Sequence, residues 1–484
     1  MNRALQLCVM VLMTAPMFAQ EPAAPAQQTE PPSAPVPASP QPTREAAVIA
    51  HGEGVIHDLV AGNFDKVESQ YDSQLAAAIP AGKLAASWKG LITQAGQFQS
   101  IGATSFQHID QEGGMDVATV LCKFEKMELE AHVGFDAAGK IGGLTFSAPP
   151  PPPWSAPTYA KADAFTSEPL TVVNGSFELP GTLTMPKGNG PFPAVVLVQG
   201  SGPQDEDETI GANKPFKDLA EGLATNGVAV FRYVKRTAKY QGKSSADPSQ
   251  LTVEDEAMSD ARAAVALVAK QTEIAPNRVY LLGHSLGGYL APRIATGDPA
   301  IAGIVLLAAN SRPIEQILDA QVRRLVAQSP IPDDQRQKQI VEADDLEKQI
   351  ESPGLKPTDP PILGAPPSYW LDLRSYSPTE TAAKLNIPIL ILQGSRDFQV
   401  DGANYEDWKK ALAGRANVTF KLYPDLNHIF VAGTGESTPR EYTQPGHVAE
   451  LVIADVAAWV EKSGKPAAAS PAHKKPSLNH SPGD

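Results

Sequence analysis

The sequence predicts an α/β protein whose mostly parallel sheet is covered by helices on both faces, preceded by a smaller α+β domain. From about residue 158, short apolar runs alternate with amphipathic helical patterns, which is typical of buried parallel strands joined by helices. Residues 45–147 instead show helical spacing and then alternating runs with Gly-rich breaks, which indicates helices followed by antiparallel strands. Five consecutive prolines separate the two patterns, so we place the domain boundary there.

The two ends of the chain are predicted to lie outside both domains. Residues 1–19 carry an early charge at Arg3, an apolar stretch and a small residue at Ala19, which together predict a cleaved secretory signal peptide. An uncleaved membrane anchor is the alternative, although Pro16 breaks the apolar stretch. Residues 20–44, rich in Pro, Ala and Gln, and residues 465–484 are expected to be disordered. We therefore expect a secreted or periplasmic protein without stable membrane insertion.

The composition of the 484-residue chain argues against nucleic acid as a partner and against an internal disulfide bond. A formal net charge of −14 and a pI of about 5.2 argue against binding to nucleic acid. Of the two cysteines, Cys8 lies in the signal segment, which leaves Cys122 as a single thiol without a disulfide partner. The sequence does not indicate the oligomeric state.

The smaller domain, 45–147, is predicted to contain three helices and four strands. The helices are predicted over 45–62, 64–79 and 82–95, and the strands over 98–109, 116–124, 127–135 and 140–146. Its histidines are scattered along the sequence, which is more typical of structural residues than of a catalytic or metal site. The linker over 148–157 is expected to be a stiff polyproline segment with few contacts, so the two domains should be separable.

The second domain, 158–464, begins with a predicted hairpin over 169–185 that turns near Asn174. Predicted strands then cover 193–198, 228–233, 278–282, 302–308, 387–392 and 417–422, alternating with helices over 215–226, 253–271, 286–296, 401–413 and 447–461. The alternation stops between about 310 and 384, a length that favours a cap over a site and includes a charged helical stretch, 314–351. Tyr369 and Trp370 near its end are candidates for the wall of a substrate pocket, or else for anchors of the cap.

The stretch Gly283-His284-Ser285-Leu286-Gly287 carries the strongest chemical signal. It follows an apolar run without a gap and precedes a helical pattern, so Ser285 is predicted at a sharp turn between strand and helix. A bend this tight needs small residues two positions away, and Gly283 and Gly287 meet that need. The turn would expose the Ser285 hydroxyl near the N–H groups that begin the helix.

A serine nucleophile needs a base to take its proton and a further group to orient that base. Asp397 and His428 each follow the end of a predicted strand. Because the carboxyl ends of parallel strands lie on one edge of the sheet, we expect both residues to meet Ser285 there. The competing residues are Asp401 and Asp425 for the acid and His447 for the base.

Two backbone N–H groups are needed to stabilise the oxyanion of a tetrahedral intermediate. One is expected from Leu286, the residue after the nucleophile. The other is expected from the Gly-rich loop after strand 193–198, where Ser201 is the first candidate and Gly202 the second. The acidic run 205–208 in this loop is interpreted as solvated or as a contact with the cap. No histidine accompanies it to suggest a metal site.

Four motifs give the second domain a resemblance to a known family. QGSGPQDED, GHSLGG, ILQGSRD and DLNH resemble loops of bacterial serine esterases with the α/β-hydrolase fold, whose triad order Ser285, Asp397 and His428 also match. Residues 45–147, with AGNFDKVESQYDSQL, resemble a small domain of unknown function often fused before such hydrolases. The resemblance implies an acyl-serine mechanism without metal or cofactor. Gln199 stands where these relatives commonly carry histidine, a departure that concerns the support of the oxyanion loop.

Together these observations predict a carboxylesterase for small, short-acyl substrates, with Ser285 as nucleophile, His428 as base and Asp397 as the acid that orients it. A serine peptidase of small peptides would share this triad and stays open as the alternative. A dienelactone-hydrolase-like reaction is less favoured, because that chemistry usually uses cysteine where Ser285 stands. A non-catalytic binding protein on the same scaffold is disfavoured by the complete triad.

Overall fold

The computed structural model describes residues 43–110, 114–329 and 331–463, which form two compact units divided between Pro150 and Pro151. The predicted signal peptide, nearly all of the predicted tether and the predicted C-terminal tail lie outside the described residues. Within the described ranges, the helices are too short or too polar to cross a membrane.

The N-terminal unit packs helices against a four-stranded antiparallel sheet whose strands follow one another in sequence order. The helices are α1 (Arg44–Ala61), α2 (Phe64–Glu68), α3 (Ser73–Ala78) and α4 (Lys83–Ala95), and the strands are β1 (Phe98–Ile109), β2 (Met115–Phe124), β3 (Glu128–Phe135) and β4 (Ile141–Ser147). The core forms where Val55, Ile56 and Leu59 of α1 pack with inward-facing residues of β2 such as Val120. This unit therefore buries an apolar core of its own.

The segment predicted as one helix over 64–79 forms two short helices, so that prediction was wrong. Tyr71 and Ile141 form a parallel bridge, and the Asp72 N–H donates to the Ile141 carbonyl over 2.9 Å. The Asp72 side chain then accepts from the Leu75 N–H and begins α3. Pairing with β4 thus interrupts a helical pattern that continues in the sequence.

The C-terminal unit is built around an eight-stranded sheet. Its strands are β5 (Phe165–Asn174), β6 (Phe177–Pro186), β7 (Phe192–Val198), β8 (Ala229–Tyr233), β9 (Ile274–His284), β10 (Ile301–Leu307), β11 (Ile389–Gly394) and β12 (Val418–Tyr423). Its helices are α5 (Pro215–Thr225), α6 (Arg236–Tyr240), α7 (Ser259–Val268), α8 (Leu286–Ala295), α9 (Ile314–Gln328), α10 (Asp333–Glu351), α11 (Pro367–Arg374), α12 (Pro378–Ala383), α13 (Gly402–Ala411) and α14 (Glu450–Lys462).

The order of the large sheet is β12–β11–β10–β9–β7–β8–β6–β5, in which the strands from β12 to β8 are parallel and β6 and β5 form an antiparallel edge. Both faces are buried: Val196 and Val198 of β7 pack into one core, and Val195 and Leu197 pack into the other. Burial on both sides explains why these strands read as continuous apolar runs. The predicted α/β fold is confirmed, and β9 lies in the middle of the sheet.

The insertion between β10 and β11 forms the cap and contributes α9, α10, α11 and α12. Strands β10 and β11 are parallel neighbours, so the insertion leaves and re-enters the sheet at adjacent positions. The stretch 314–351, predicted to be helical and charged, contains two helices, α9 and α10, which pack through Val322, Val326 and Ala343. Pro332 lies immediately before α10, where its missing N–H removes no hydrogen bond within the helix.

The segment 148–157 was predicted to be a polyproline linker with few contacts, but its Trp154 makes several. The Trp154 Nε1–H donates to Asp218 over 3.0 Å, and the Lys217 ammonium lies 4.3 Å from the centre of the Trp154 ring. Asp218 also lies 3.1 Å from the His447 Nδ1. The part of the linker from Pro151 onward therefore packs with the C-terminal unit.

Candidate active site

Ser285 lies at the sharp turn between β9 and α8, where the sequence predicts it. Its φ of 53° and ψ of −117° give a non-glycine residue a positive φ, which is strained and recurs at functional sites. The Ser285 N–H donates to the Leu307 carbonyl of β10 over 2.9 Å. The neighbouring strand therefore holds the strained turn in place.

The two glycines that flank the turn are required by close backbone contacts. A Cβ atom on Gly283 would lie 2.2 Å from the Gly287 carbonyl oxygen. A Cβ atom on Gly287 would lie equally close, 2.2 Å, to the Val198 carbonyl oxygen at the end of β7. No side chain fits at either position without a backbone shift, so the predicted reason for both glycines is confirmed.

His428 and Asp397 form a buried hydrogen-bonded pair on loops that follow β12 and β11. The His428 Nδ1 lies 2.8 Å from one Asp397 carboxylate oxygen, and each residue is 3% exposed. That oxygen also accepts from the Gln393 side-chain amide over 3.0 Å. The other oxygen accepts from the N–H groups of Gln399 (2.8 Å) and Val400 (2.9 Å). Because the carboxylate only accepts, His428 carries its proton on Nδ1, which leaves Nε2 free to act as a base.

Ser285 and His428 line one small cavity of about 20 Å³, which has room for a single water-sized group. The lining residues are Gly200, Ser201, Gln204, Glu208, Ile210, His284, Ser285, Gln399 and His428. Asp397 lies behind His428, on the side of its Nδ1. The structure therefore brings the predicted serine and histidine to one place, with the predicted acid in contact with the histidine.

The residues that compete for these roles have other partners. The Asp401 side chain accepts from the Ala403 N–H over 3.2 Å and caps α13. Asp425 is exposed on the loop after β12. His447 lies beside Asp218 and Trp154 rather than among the residues that line the cavity at Ser285.

The structure places the candidate oxyanion donors unequally around this cavity. Leu286 begins α8 directly after Ser285, where helix N–H groups have no partner within the helix. Ser201 lines the cavity together with Ser285, whereas Gly202 lines only a larger cavity beside it. This geometry favours Ser201 over Gly202 as the second donor, in the order in which the sequence ranked them.

Gln199 supports the loop after β7 that carries Ser201 and Gly202, which we call the oxyanion loop. It is buried, and its side-chain amide donates to the Tyr233 carbonyl at the end of β8. A histidine ring nitrogen could also donate to a carbonyl, so glutamine supplies the same kind of support.

The acidic run 205–208 is solvated only in part, because Asp205 is exposed but Asp207 and Glu208 are buried, so the interpretation as a solvated run was wrong for those two residues. Asp207 is buried between Arg232 (2.8 Å) and Lys214 (2.9 Å), and Glu208 is only 1% exposed. One Glu208 oxygen accepts from the Gly200 N–H over 2.5 Å, and the other lies 2.9 Å from the His284 Nδ1. Through Glu208, the run therefore fixes the oxyanion loop from the inner side of the protein.

His284 is the buried partner of Glu208 and connects the loop to the base. Its Nε2 lies 3.0 Å from the His428 carbonyl oxygen, so both ring nitrogens face acceptors. Burial alone would lower the pKa of His284, but the nearby charge of Glu208 and the contact with the His428 carbonyl outweigh burial and raise it. The sequence did hold a signal for Glu208. The side chain of His284, next to Ser285, must point into the protein, and a buried histidine needs a polar or acidic partner.

A larger cavity of about 340 Å³ lies between the oxyanion loop and the cap. Ser201 and Gly202 line it on one side, and Tyr369 and Trp370 of α11 line it on the other. Burial and the neighbouring Glu256 raise the pKa of Tyr369 well above its usual range, so its hydroxyl stays protonated. Both predicted pocket residues are therefore at a cavity that adjoins the serine through Ser201.

The doubly covered parallel sheet, the strained serine after a central strand and the His–Asp pair on the same edge define the C-terminal unit as an α/β-hydrolase. Residues 212–434 match the family described as serine aminopeptidase, S33, and residues 52–144 match the family described as a protein of unknown function, DUF3887. Esterase EstD of Thermotoga maritima is 39% identical over 407 residues, which cover 84% of this chain and 94% of that protein. The chain belongs to this family of bacterial α/β-hydrolase esterases with an N-terminal accessory domain.

Two solved structures are similar to the chain at lower identity. The Pyrococcus furiosus esterase PF2001 has 15% identity and a TM-score of 0.41, covering 65% of this chain and 98% of that one. Est1E from Butyrivibrio proteoclasticus has 16% identity and a TM-score of 0.40, covering 61% of this chain and 98% of that one.

Proposed function

We propose that the protein hydrolyses small carboxylic esters, with a preference for short acyl chains, through an acyl-serine intermediate on Ser285. One observation carries the proposal: strained Ser285 and His428, whose Nδ1 contacts Asp397, line one cavity together with Ser201 of the oxyanion loop. The relationship to Esterase EstD supports ester hydrolysis as the reaction class.

The proposed reaction uses residues of this chain alone. The His428 Nε2 takes the hydroxyl proton as the Ser285 oxygen attacks the ester carbonyl carbon, and Asp397 stabilises the imidazolium that forms. The N–H groups of Ser201 and Leu286 stabilise the oxyanion of the tetrahedral intermediate. The imidazolium then gives its proton to the leaving alcohol, and a water molecule repeats the sequence to release the acid.

A serine peptidase acting on small peptides is the second candidate, because residues 212–434 match a family described as a serine aminopeptidase. An aminopeptidase needs an acidic group to bind the substrate's terminal ammonium. Among the described residues, Glu256 is the one acidic side chain that lines the larger cavity, and it lies 2.6 Å from the Lys235 ammonium. Because that lysine already neutralises Glu256, the cavity favours an uncharged ester over a free amino terminus.

Two measurements separate these functions. We expect a fluorophosphonate probe to label Ser285, and p-nitrophenyl acetate and butyrate to be cleaved with kcat/KM at least ~10²-fold above that for aminoacyl p-nitroanilides. Faster cleavage of the anilides would make the protein a peptidase. Labelling without turnover of either substrate class would contradict both proposals.

The larger cavity is the proposed acyl pocket, and Trp370 sets its depth. The Trp370 ring lines the cavity while its Nε1–H donates to the Ile362 carbonyl over 3.1 Å, so the ring is held in one orientation. A Trp370→Ala variant should enlarge the pocket. We expect its ratio of kcat/KM for octanoate over acetate p-nitrophenyl esters to rise about tenfold, an amount typical of an added apolar contact.

The control for this substitution is Trp408→Ala. Trp408 is fully buried and donates its Nε1–H to the Ala309 carbonyl over 2.9 Å, but it lies outside the residues that line the cavity. Both variants should melt at lower temperature, and only Trp370→Ala should change the chain-length profile. An unchanged profile in Trp370→Ala would make Trp370 an anchor of the cap.

We further propose that the protein is exported and acts outside the cytoplasm. The support is the signal-like sequence of residues 1–19, which lie outside the described residues. Mass spectrometry of the protein recovered from the periplasm or medium should give a chain that begins at Gln20.

A further inference from the structure

A buried lysine that the proposed mechanism does not use lies beneath the oxyanion loop. Lys235 follows β8 and is 1% exposed. Its ammonium donates to the Gly200 carbonyl over 2.8 Å and to a Glu256 carboxylate oxygen over 2.6 Å. Glu256 is itself buried and lies on a π-helical turn, Glu254–Met258, of the kind often found at functional sites.

The contact with the Gly200 carbonyl determines the direction of the next N–H group. A peptide unit is planar and trans, so the carbonyl of Gly200 and the N–H of Ser201 point in opposite directions. Lys235 holds the carbonyl on the inner side of the loop. Ser201 and Ser285 line the same small cavity, so we infer that the Ser201 N–H, on the opposite side of this peptide, faces it.

Gly200 is held from its other side as well. Its N–H donates to Glu208, which is paired with His284, so charged side chains fix both peptide groups that flank the Gly200 Cα. Two buried ion pairs beside one loop are costly to desolvate and are weak sources of stability. Their position points to control of the loop conformation instead.

We propose that Lys235 is a positioning residue that aims the Ser201 N–H at the oxyanion formed during attack by Ser285. The inference rests on the proposed function. The lysine cation also polarises the Gly200–Ser201 peptide and strengthens its N–H as a donor. Lys235 does not touch the substrate, and it acts through this one peptide group.

The expected effect falls on the chemical step. Loss of a whole oxyanion donor costs about 10²- to 10³-fold in kcat, and misdirection of a donor that is still present costs less. We therefore expect Lys235→Met to lower kcat for p-nitrophenyl acetate by about 10- to 100-fold. Its KM should change by less than about twofold, because the oxyanion exists only after the substrate is bound.

A second readout reports the oxyanion site without turnover. Phenylboronic acid accepts the Ser285 oxygen at boron as the hydroxyl proton passes to His428, and the adduct is tetrahedral and negatively charged. Its inhibition constant should rise roughly in proportion to the fall in kcat/KM, since both depend on the same donors. Lowered stability alone would not change this constant in the folded protein.

Lys235→Met leaves the Glu256 carboxylate buried without its partner and can prevent folding, so the double variant Lys235→Met/Glu256→Gln is measured beside it. The matched control is Arg236→Met/Asp260→Asn. This removes another buried ion pair in the same region, which makes no contact with Gly200. The control should lower the melting temperature and leave kcat within about twofold of wild type.

The outcomes are distinct. Lowered kcat and weakened boronic acid binding in the Lys235 variants, but not in the control, support the proposal. A kcat within about threefold of wild type in the folded double variant overturns it, as does an equal loss in the control. If the wild-type protein cleaved no ester, the proposed function would fail. The rate of fluorophosphonate labelling would then test the role of Lys235 separately from ester turnover. An unchanged labelling rate in the Lys235 variants would contradict that role.

Discussion

A Ser285→Ala variant is expected to lose more than ~10⁴-fold in kcat for p-nitrophenyl acetate while folding like the wild-type protein. Alanine keeps the Cβ atom and the backbone N–H that donates to Leu307, so the turn after β9 should be retained. What disappears is the hydroxyl oxygen that forms the acyl bond in the proposed mechanism. The His428–Asp397 pair and the oxyanion donors can then only assist direct attack by water. Steady-state kinetics and the melting temperature measure the two parts of this expectation.

The control is Ser395→Ala, which removes an exposed hydroxyl near the end of β11, two residues before Asp397. This variant should keep kcat within about twofold of wild type and should still be labelled by a fluorophosphonate. A loss of less than about 100-fold in Ser285→Ala would show that a different residue is the nucleophile.

The position of Ser285 at a sharp turn between strand and helix could be predicted because the signals that place it are local. An apolar strand, two glycines and a helical pattern lie within about ten residues, and the steric reason for each glycine can be stated before the fold is known. Asp397 and His428 are distant in sequence, but the rule that parallel strands end on one edge supplied their proximity. The observed distance of 2.8 Å between them follows from that topology.

Glu208 and Lys235 could not be placed from the sequence because their burial depends on partners far along the chain. Glu208 pairs with His284, and Lys235 pairs with Glu256. The charges of Glu208 and Lys235 therefore meet their partners only after β7, β8 and β9 have assembled. An acidic run with no visible partner is solvated in most proteins, and that general rule gave the wrong answer here.

The helix predicted over 64–79 shows what helical spacing alone does not give. The spacing continued across the segment, yet the bridge between Tyr71 and Ile141 divides it into α2 and α3. Periodicity reports which residues could share a helix face, and tertiary pairing decides where the helix ends.

Asp397→Asn is expected to lower kcat by about 10⁴-fold at neutral pH with little loss of stability. The amide oxygen of asparagine can keep the two bonds from the Gln399 and Val400 N–H groups. Its NH₂ group would then face the Gln393 amide and the His428 Nδ1, both of which donate to the present carboxylate. To avoid opposing donors, His428 would move its proton to Nε2, the nitrogen that accepts the proton of Ser285 in the proposed mechanism.

Asp401→Asn is the matched control for this substitution, since Asp401 lies four residues away and competed for the same role in the sequence. Asparagine caps helices about as well as aspartate, so the cap of α13 should survive and kcat should stay within about threefold of wild type. Kinetics of both variants, with the His428 tautomer read from its ¹⁵N chemical shifts, test the assignment. If Asp401→Asn lost the activity and Asp397→Asn kept it, the acid of the triad would be Asp401, and the 2.8 Å contact between Asp397 and His428 would be structural only.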